Sequence, residues 1–238
     1  MYLFVKRAFD VAASALGLVG ASPLIAILAI AVKMSSPGPV FYRGKRVGRY
    51  GRPFHILKFR TMVENAERLG GTATANDDIR LTSLGKRIRR WKLDELPQLW
   101  NVLTGEMSLV GPRPEVETYV AAYGEAESRI LELRPGLTDW ATIWNSDEGA
   151  ALAGSVDAEK VYRDVIRPIK TELQLLYCDT GSFRTDVKIL GYTFVKLVNS
   201  EWVPAEIAQY GTSLSMGASC DRVKRAALVP KEDEPATR

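Results

Sequence analysis

Residues 8–32 read AFDVAASALGLVGASPLIAILAIAV, and Asp10 is the one charge among them. A straight helix of that length reaches about 38 Å, more than the roughly 30 Å of a bilayer's hydrocarbon core. Three readings compete: a cleaved signal peptide, a spanning helix, and a re-entrant hairpin that enters and leaves by one face. The run exceeds the usual signal-peptide apolar region of about 7–15 residues. Pro23 lacks an N–H and clashes with the carbonyl four residues back, at Val19, so it kinks or breaks a helix. Ser22 can give its hydroxyl to a carbonyl freed by that break, which an apolar medium would otherwise penalise. Each half is then too short to cross.

Charge bears on the same choice. Lys6 and Arg7 precede the run, and Lys33, Arg43, Lys45 and Arg46 follow it. Basic flanks favour the cytoplasmic side, so a single span would export one of them and a hairpin would export neither. The residues favour the hairpin and leave the span open. Asp10 is placed to pair with Lys6, Arg7 or Lys33, or to be a plain interfacial charge.

The remaining chain is long enough for one domain. Of 238 residues, 46% are hydrophobic, ample for a core, and the net charge is +4. The basic residues cluster in YRGKRVGRYGR (42–52) and GKRIRRWK (85–92), which suits a phosphate-bearing partner. His55 is the only histidine, which excludes any multi-histidine metal site and leaves a Ser-His-Asp or Cys-His site no other imidazole. Two cysteines, Cys178 and Cys220, make neither a disulfide framework nor a zinc site. For an enzyme, the expectation is chemistry that rests on carboxylates, lysines and arginines, with or without a hard metal ion.

The β-rich runs PVFY (39–42) and PFHILKFRTM (53–62) predict a two-stranded hairpin. VENAERLG (63–70), TSLGKRIRRW (82–91) and DELPQLWNVLTG (94–105) predict helices, the last stopped by Gly105. Further helices are expected over 116–133, over 158–178 with Pro168 as an interruption, and over 184–198. The last either packs on the core or lies on a membrane surface. Residues beyond about 203 read as a mobile tail.

Asp94 and Glu95 fall where the third of these helices begins, since Pro97 fits only a first turn. Free N–H groups and the positive helix end favour an anion there, so Asp94 is expected to stay ionised, as a nucleophile or metal ligand must. Capping by either residue is the plainer explanation. The basic run just upstream and Arg113, held rigidly in GPRP (111–114), shift the weight toward chemistry on phosphate. A carboxylate pair, arginines and Mg²⁺ are the parts of phosphoryl transfer. No G-x-x-x-x-G-K-[ST] stretch occurs, which argues against a P-loop enzyme.

These pieces together resemble the bacterial monotopic phosphoglycosyl transferases, also called sugar transferases. The matching segments are KRAFDVAASALGLVGASPL, SSPGPVFYRGKRVGRYGRPFHILKFRTM, TSLGKRIRRWKLDELPQLWNVLTGEMSLVGPRPE and LRPGLT, over about residues 5–140. The resemblance implies an α+β, mainly helical monotopic protein with an N-terminal re-entrant helix-break-helix at Ser22 and Pro23, a small β-hairpin and amphipathic interfacial helices. It implies a membrane helix over 1–34, a cytosolic catalytic domain over 35–203 and a partly mobile extension over 204–238. The implied reaction moves a sugar 1-phosphate from a UDP-sugar to a polyprenyl phosphate and releases UMP, at the cytoplasmic face of the bacterial inner membrane. Asp94 would be the nucleophile that forms a covalent phospho-sugar intermediate, Glu95 would assist, and Mg²⁺ would bind at the pair. Lys58, Arg60, Arg89 and Arg113 match positive positions near the phosphates and uridine. Nucleic acid is not an expected partner, and a homodimer is left open.

Departures exist. Many relatives continue PGITGWAQVNGR where this chain has PGLTDWATIWNSDEGA: Asp139 replaces a glycine, and Asn145, Asp147 and Glu148 add polar groups. This segment is expected to border the sugar, so the sugar stays unnamed. Larger relatives carry a long N-terminal membrane region, and this chain is expected to be a minimal catalytic form. Two other functions compete: a membrane-bound nucleotide-sugar hydrolase, and a non-enzymatic tethered basic protein that assigns no role to the acidic pair.

Overall fold

The computed structural model describes residues 2–71, 73–199 and 201–212. Helix α1 (Tyr2–Ser35) is the one described helix long and apolar enough to cross a membrane. It is a single element with Pro23 inside, rather than the two separate helices expected. The Ser22 hydroxyl donates to Val19 O at 2.7 Å, so a partner is found for the carbonyl that proline strands.

Both ends of α1 are fastened to the same body. Near its start, Arg7 donates to Val102 O at 2.7 Å and Leu103 O at 3.0 Å, and Lys6 pairs with Asp186 at 2.8 Å. Asp10 is buried and takes none of the basic partners expected for it. It accepts from the Ser108 hydroxyl at 2.7 Å and from Leu109 N at 3.1 Å. Near its end, Leu28 and Val32 pack with Phe59 and Ile88 in a satellite core. Between these anchors, Leu16, Val19 and Ile27 are exposed.

Strands β1 (Phe41–Val47) and β2 (Pro53–Phe59) form the expected antiparallel hairpin, with Phe41 opposite Phe59 and Val47 opposite Pro53. The turn is closed by Gly48 N donating to Arg52 O at 2.8 Å, with Tyr50 and Gly51 at positive φ. Alternation along β2 puts Phe54, Ile56 and Lys58 on one face, so Lys58 follows two core side chains inward.

The expected helix over 63–70 shrinks to a single 3₁₀ turn at Ala66–Arg68. Helix α2 (Ser83–Arg90) is capped by Thr82, whose hydroxyl accepts from Gly85 N at 2.9 Å. Gly85 is required there because a Cβ would sit 1.9 Å from Thr61 O. Lys92 then adopts a left-handed conformation (φ 56°), reversing the chain into a 3₁₀ turn, Leu93–Glu95. Helix α3 (Gln98–Thr104) starts only after Pro97, which is its N-cap. Asp94 and Glu95 therefore lie one tight turn upstream of the expected helix, not in its first turn.

Strand β3 (Ser108–Val110) follows, and then α4 (Glu117–Val120) and α5 (Glu125–Ser128) with a 3₁₀ turn, where one long helix was expected. Gly124 separates the short pieces. Strand β4 (Gly136–Thr138) pairs in parallel with β3, Ser108 opposite Gly136. The strands can approach because Gly136 has no Cβ: one would come within 2.2 Å of the Gly111 backbone. The Pro-Arg-Pro loop leaves from the end of this ladder.

Helices α6 (Trp140–Trp144), α7 (Glu148–Leu152), α8 (Ala158–Val161), α9 (Arg167–Thr180) and α10 (Phe183–Val198) complete the main core, in which Val102, Ile143, Leu152, Ile166, Leu173 and Ile189 are fully enclosed. A π-helical segment, Tyr162–Ile166, joins α8 to α9 and lets the chain run on into Pro168, which falls in the first turn of α9, where its missing N–H costs little. Helix α10 packs on the core: Asp186 and Ile189 face inward, while Val187, Phe194, Leu197 and Val198 are exposed. Helix α11 (Ala205–Thr212) lies where a mobile extension was expected. Ile207 is completely buried in the main core, which ties this helix down. Residues 213–238 of that expected extension lie outside the described residues.

Candidate active site

A cleft of about 1570 Å³ opens between the hairpin, the Leu93–Glu95 turn, the Pro-Arg-Pro loop and helices α6, α7 and α9. Asp94, Glu95, Lys58, Arg60, Arg89 and Arg113 all line it.

Two of the residues singled out from sequence, Lys58 and Arg113, meet at a third, Glu95. Lys58 Nζ donates to Glu95 Oε1 at 2.7 Å. Arg113 Nη1 donates to Oε2 at 3.1 Å, and Nη2 donates to Oε1. Asp94 stands beside this cluster with Lys58 Nζ 4.0 Å away. Its carboxylate accepts no hydrogen bond from the described residues, although Asp94 is only 6% exposed. Glu95 is thus committed on both oxygens and Asp94 on neither.

The electrostatics divide the pair. Burial pushes both carboxyls up. At Glu95 the charges of Arg113 and Lys58 outweigh it and hold the group well below the usual glutamate range. At Asp94 burial prevails over Lys58, with the Glu95 charge adding to the rise, so its pKa is raised. This reverses the expectation that a helix end would keep Asp94 readily ionised. The turn it occupies is no α-helix terminus, and the carboxylate has lost most of its water. Burial also lowers Lys58, with Arg113 adding to the shift and Glu95 opposing it.

Arg60 goes elsewhere. Its guanidinium donates to Ser36 O at 2.8 Å, Val32 O at 3.3 Å and Pro37 O, gripping the carbonyls at the end of α1. Its chief role in this arrangement is to hold α1 to the cleft wall. Arg89 acts at Asp94 through charge, pulling its pKa down against the burial.

The sequence reading missed the groups that hold this geometry. The Asn101 side chain accepts from Leu57 N at 2.9 Å and donates to His55 O at 2.8 Å, so α3 clasps β2 and sets Lys58 against the carboxylates. Asp139, wholly buried, accepts from Arg113 N at 3.0 Å and caps α6 through Thr142 N at 2.7 Å. Gln174 donates to Arg113 O at 3.1 Å. Arg113 is therefore pinned at backbone and side chain together. Asp139 was visible as a departure from the usual glycine; Asn101 and Gln174 carried no signal that their spacing could reveal.

The residues suit Mg²⁺ only as a shared site. Among the described residues no three His, Cys, Asp or Glu side chains gather as a metal cage. Mg²⁺ commonly takes one or two carboxylates and completes its shell with substrate phosphates and water. Asp94, with uncommitted oxygens, fits that pattern; Glu95, expected as a second ligand, has both oxygens held by Lys58 and Arg113.

A cleft with one free buried carboxylate, a second locked by cations, and further arginines at its rim is suited to chemistry on phosphate, and it lies beside a helix long and apolar enough to cross a membrane. Residues 1–200 match the family described as Bacterial sugar transferase, and the chain belongs to that family. It is accordingly a transferase. Among relatives, it is 37% identical to the "Uncharacterized sugar transferase EpsL" of Bacillus subtilis, over 84% of this chain and 91% of that protein. It is 38% identical to the UDP-glucose:undecaprenyl-phosphate glucose-1-phosphate transferase of Escherichia coli, over 81% of this chain but 40% of the relative. It is 41% identical to the UDP-N-acetylgalactosamine-undecaprenyl-phosphate N-acetylgalactosaminephosphotransferase of Aeromonas hydrophila, over 60% of this chain and 34% of the relative.

Proposed function

We propose that the protein transfers a sugar 1-phosphate from a UDP-sugar to a polyprenyl phosphate, undecaprenyl phosphate in bacteria, and releases UMP. The observation that carries this reading is the contrast within the pair: Glu95 is saturated by Lys58 and Arg113, and Asp94 is buried, unbonded and open to the cleft. Relatives named for this reaction support it.

The ionised Asp94 oxygen attacks the sugar-bearing phosphorus of the donor. The bond to the bridging oxygen breaks, UMP leaves, and a phospho-sugar ester forms on Asp94. An oxygen of the lipid phosphate then attacks the same phosphorus, and Asp94 departs as carboxylate. Splitting the transfer avoids direct attack of one phosphate dianion on another. Lys58, Arg89 and Arg113 offset charge on the phosphoryl oxygens, and Glu95 holds Lys58 and Arg113 in place. Bound Mg²⁺, with Asp94 as its protein ligand, would neutralise further phosphate charge.

We read α1 as re-entrant, with the catalytic body at the cytoplasmic face of the inner membrane. Arg7 and Val32 lie at opposite ends of the apolar run, yet both are bonded to one body. A straight span would set these ends about 38 Å apart, on opposite sides of the hydrocarbon. The exposed apolar side chains of α10 offer a second surface for the bilayer.

The test is UMP release by the purified chain with Mg²⁺ and a panel of UDP-sugars. Release that requires polyprenyl phosphate supports a transferase, and release that ignores it marks a hydrolase. With donor alone, a stoichiometric adduct should map to Asp94. An unmodified Asp94 under turnover conditions overturns the covalent route.

A further inference from the structure

We infer that Glu148 is a specificity-determining residue that reads the donor's sugar by accepting its hydroxyls, and that it selects neutral sugars over uronates. This rests on the donor reading above.

Glu148 opens α7, within the segment where this chain departs from its relatives. It lines the cleft that holds Asp94 and Glu95. Lys170, buried on α9, donates to Glu148 Oε2 at 3.1 Å, to the Tyr162 hydroxyl at 2.8 Å, and pairs with Glu115 Oε1 at 3.1 Å. Tyr162 in turn donates to the same Glu115 oxygen at 2.6 Å. Glu115, Tyr162 and Lys170 also line the cleft, but Glu115 and Lys170 are enclosed while the Glu148 side chain is 37% exposed, so Glu148 is more open to a ligand than either. Its Oε1 has no hydrogen bond among the described residues. One oxygen is fixed by Lys170 and the other is free to accept.

The placement suits the sugar. Arg113, which grips Glu95, and Glu148 line the same cleft. Burial pushes the Glu148 carboxyl up, but Lys170 and Arg113 outweigh it and keep the group ionised, hence an acceptor only. A pyranose offers hydroxyl donors that match a fixed acceptor. The cluster sets two carboxylates against one ammonium, and this leftover negative charge repels a donor whose sugar carries its own carboxylate.

The experiment compares wild type with Glu148→Gln, using purified full-length protein, Mg²⁺, undecaprenyl phosphate, and UDP-hexoses, UDP-N-acetylhexosamines, their deoxy analogues and UDP-glucuronate. For wild type, the best neutral donor should exceed UDP-glucuronate in kcat/KM. Deleting one particular hydroxyl should cost roughly 10- to 150-fold, the worth of one hydrogen bond to a charged group. In Glu148→Gln that penalty should shrink at least severalfold, while UMP binding is unchanged. Equal penalties in both proteins, or wild type using UDP-glucuronate as well as the best neutral donor, overturn the inference. If Glu148→Gln also loses UMP binding, Glu148→Asp decides: a shifted donor ranking supports the role, and an unchanged ranking overturns it. Should no donor give acceptor-dependent UMP, the donor reading itself has failed, a different result from unaltered specificity.

Discussion

Lys58 Nζ lies 2.7 Å from Glu95 Oε1 and 4.0 Å from Asp94 Oδ2, so one ammonium bonds one carboxylate and only biases the other. Adjacent acids on one turn thereby become unlike groups. Glu95 is a fixed anion that orients cations, and Asp94 is a displaced, basic carboxylate suited to forming a bond. Environments that drive two titratable groups apart mark a division of labour.

Asp94→Asn removes the attacking oxygen and should lower acceptor-dependent UMP release by about 10³-fold or more, with no adduct on the protein. Glu95→Gln keeps the nucleophile but weakens the hold on Lys58 and Arg113, so a severe loss with residual adduct formation is expected. Mass spectrometry of donor-treated protein separates the two. Near-normal turnover by Asp94→Asn would contradict the covalent mechanism.

Adduct formation needs Asp94 deprotonated and Lys58 charged. Burial raises Asp94 above the ordinary aspartate value of 3.8 and lowers Lys58 below 10.5, so the pH profile should be narrowed from both sides. Lys58 pulls the Asp94 pKa down against the burial. Lys58→Met should therefore move the acid limb to higher pH and abolish the alkaline limb. Single-turnover labelling against pH measures both limbs, and an unmoved acid limb would show that Lys58 does not bias Asp94.

Asp10→Ala leaves the Ser108 hydroxyl and Leu109 N without their buried acceptor. The loss should be about 1–3 kcal/mol, and thermal unfolding in detergent should fall by about 2–4 °C per kcal/mol. The chemistry should survive where the fold does, because Asp10 holds β3 and not the dyad. An unchanged midpoint would make Asp10 the plain interfacial charge that its position in the sequence allows.

Tags at the two chain termini should both be protected from protease in right-side-out vesicles and both be cleaved once the bilayer is opened. Protection of only one would establish a span in place of the re-entrant path.

Much of the site is local in origin and was legible. The adjacency of Asp94 and Glu95, the rigid Pro-Arg-Pro loop, the basic runs and the hairpin all follow from short-range rules. The helix boundary beside the dyad was misplaced by one turn: Lys92 takes a left-handed conformation, which its residue type does not announce, and a 3₁₀ turn, Leu93–Glu95, precedes α3. Arg60 was grouped with the phosphate-binding cations, yet the end of α1 claims its guanidinium. A charged side chain's partner depends on which carbonyls arrive from elsewhere.

Sequence alone determined that this chain carries a long apolar segment with Ser22 and Pro23 within it, and that a carboxylate pair sits among cations. Apolar length, proline chemistry and neighbouring charges are properties of contiguous residues. Only the tertiary structure decided which carboxylate is free. Lys58 comes from β2, Arg113 from the loop after β3, and Asn101, Asp139 and Gln174 set them from three further places in the chain. The distances that lock Glu95 and leave Asp94 unbonded are long-range contacts, and no local pattern encodes them.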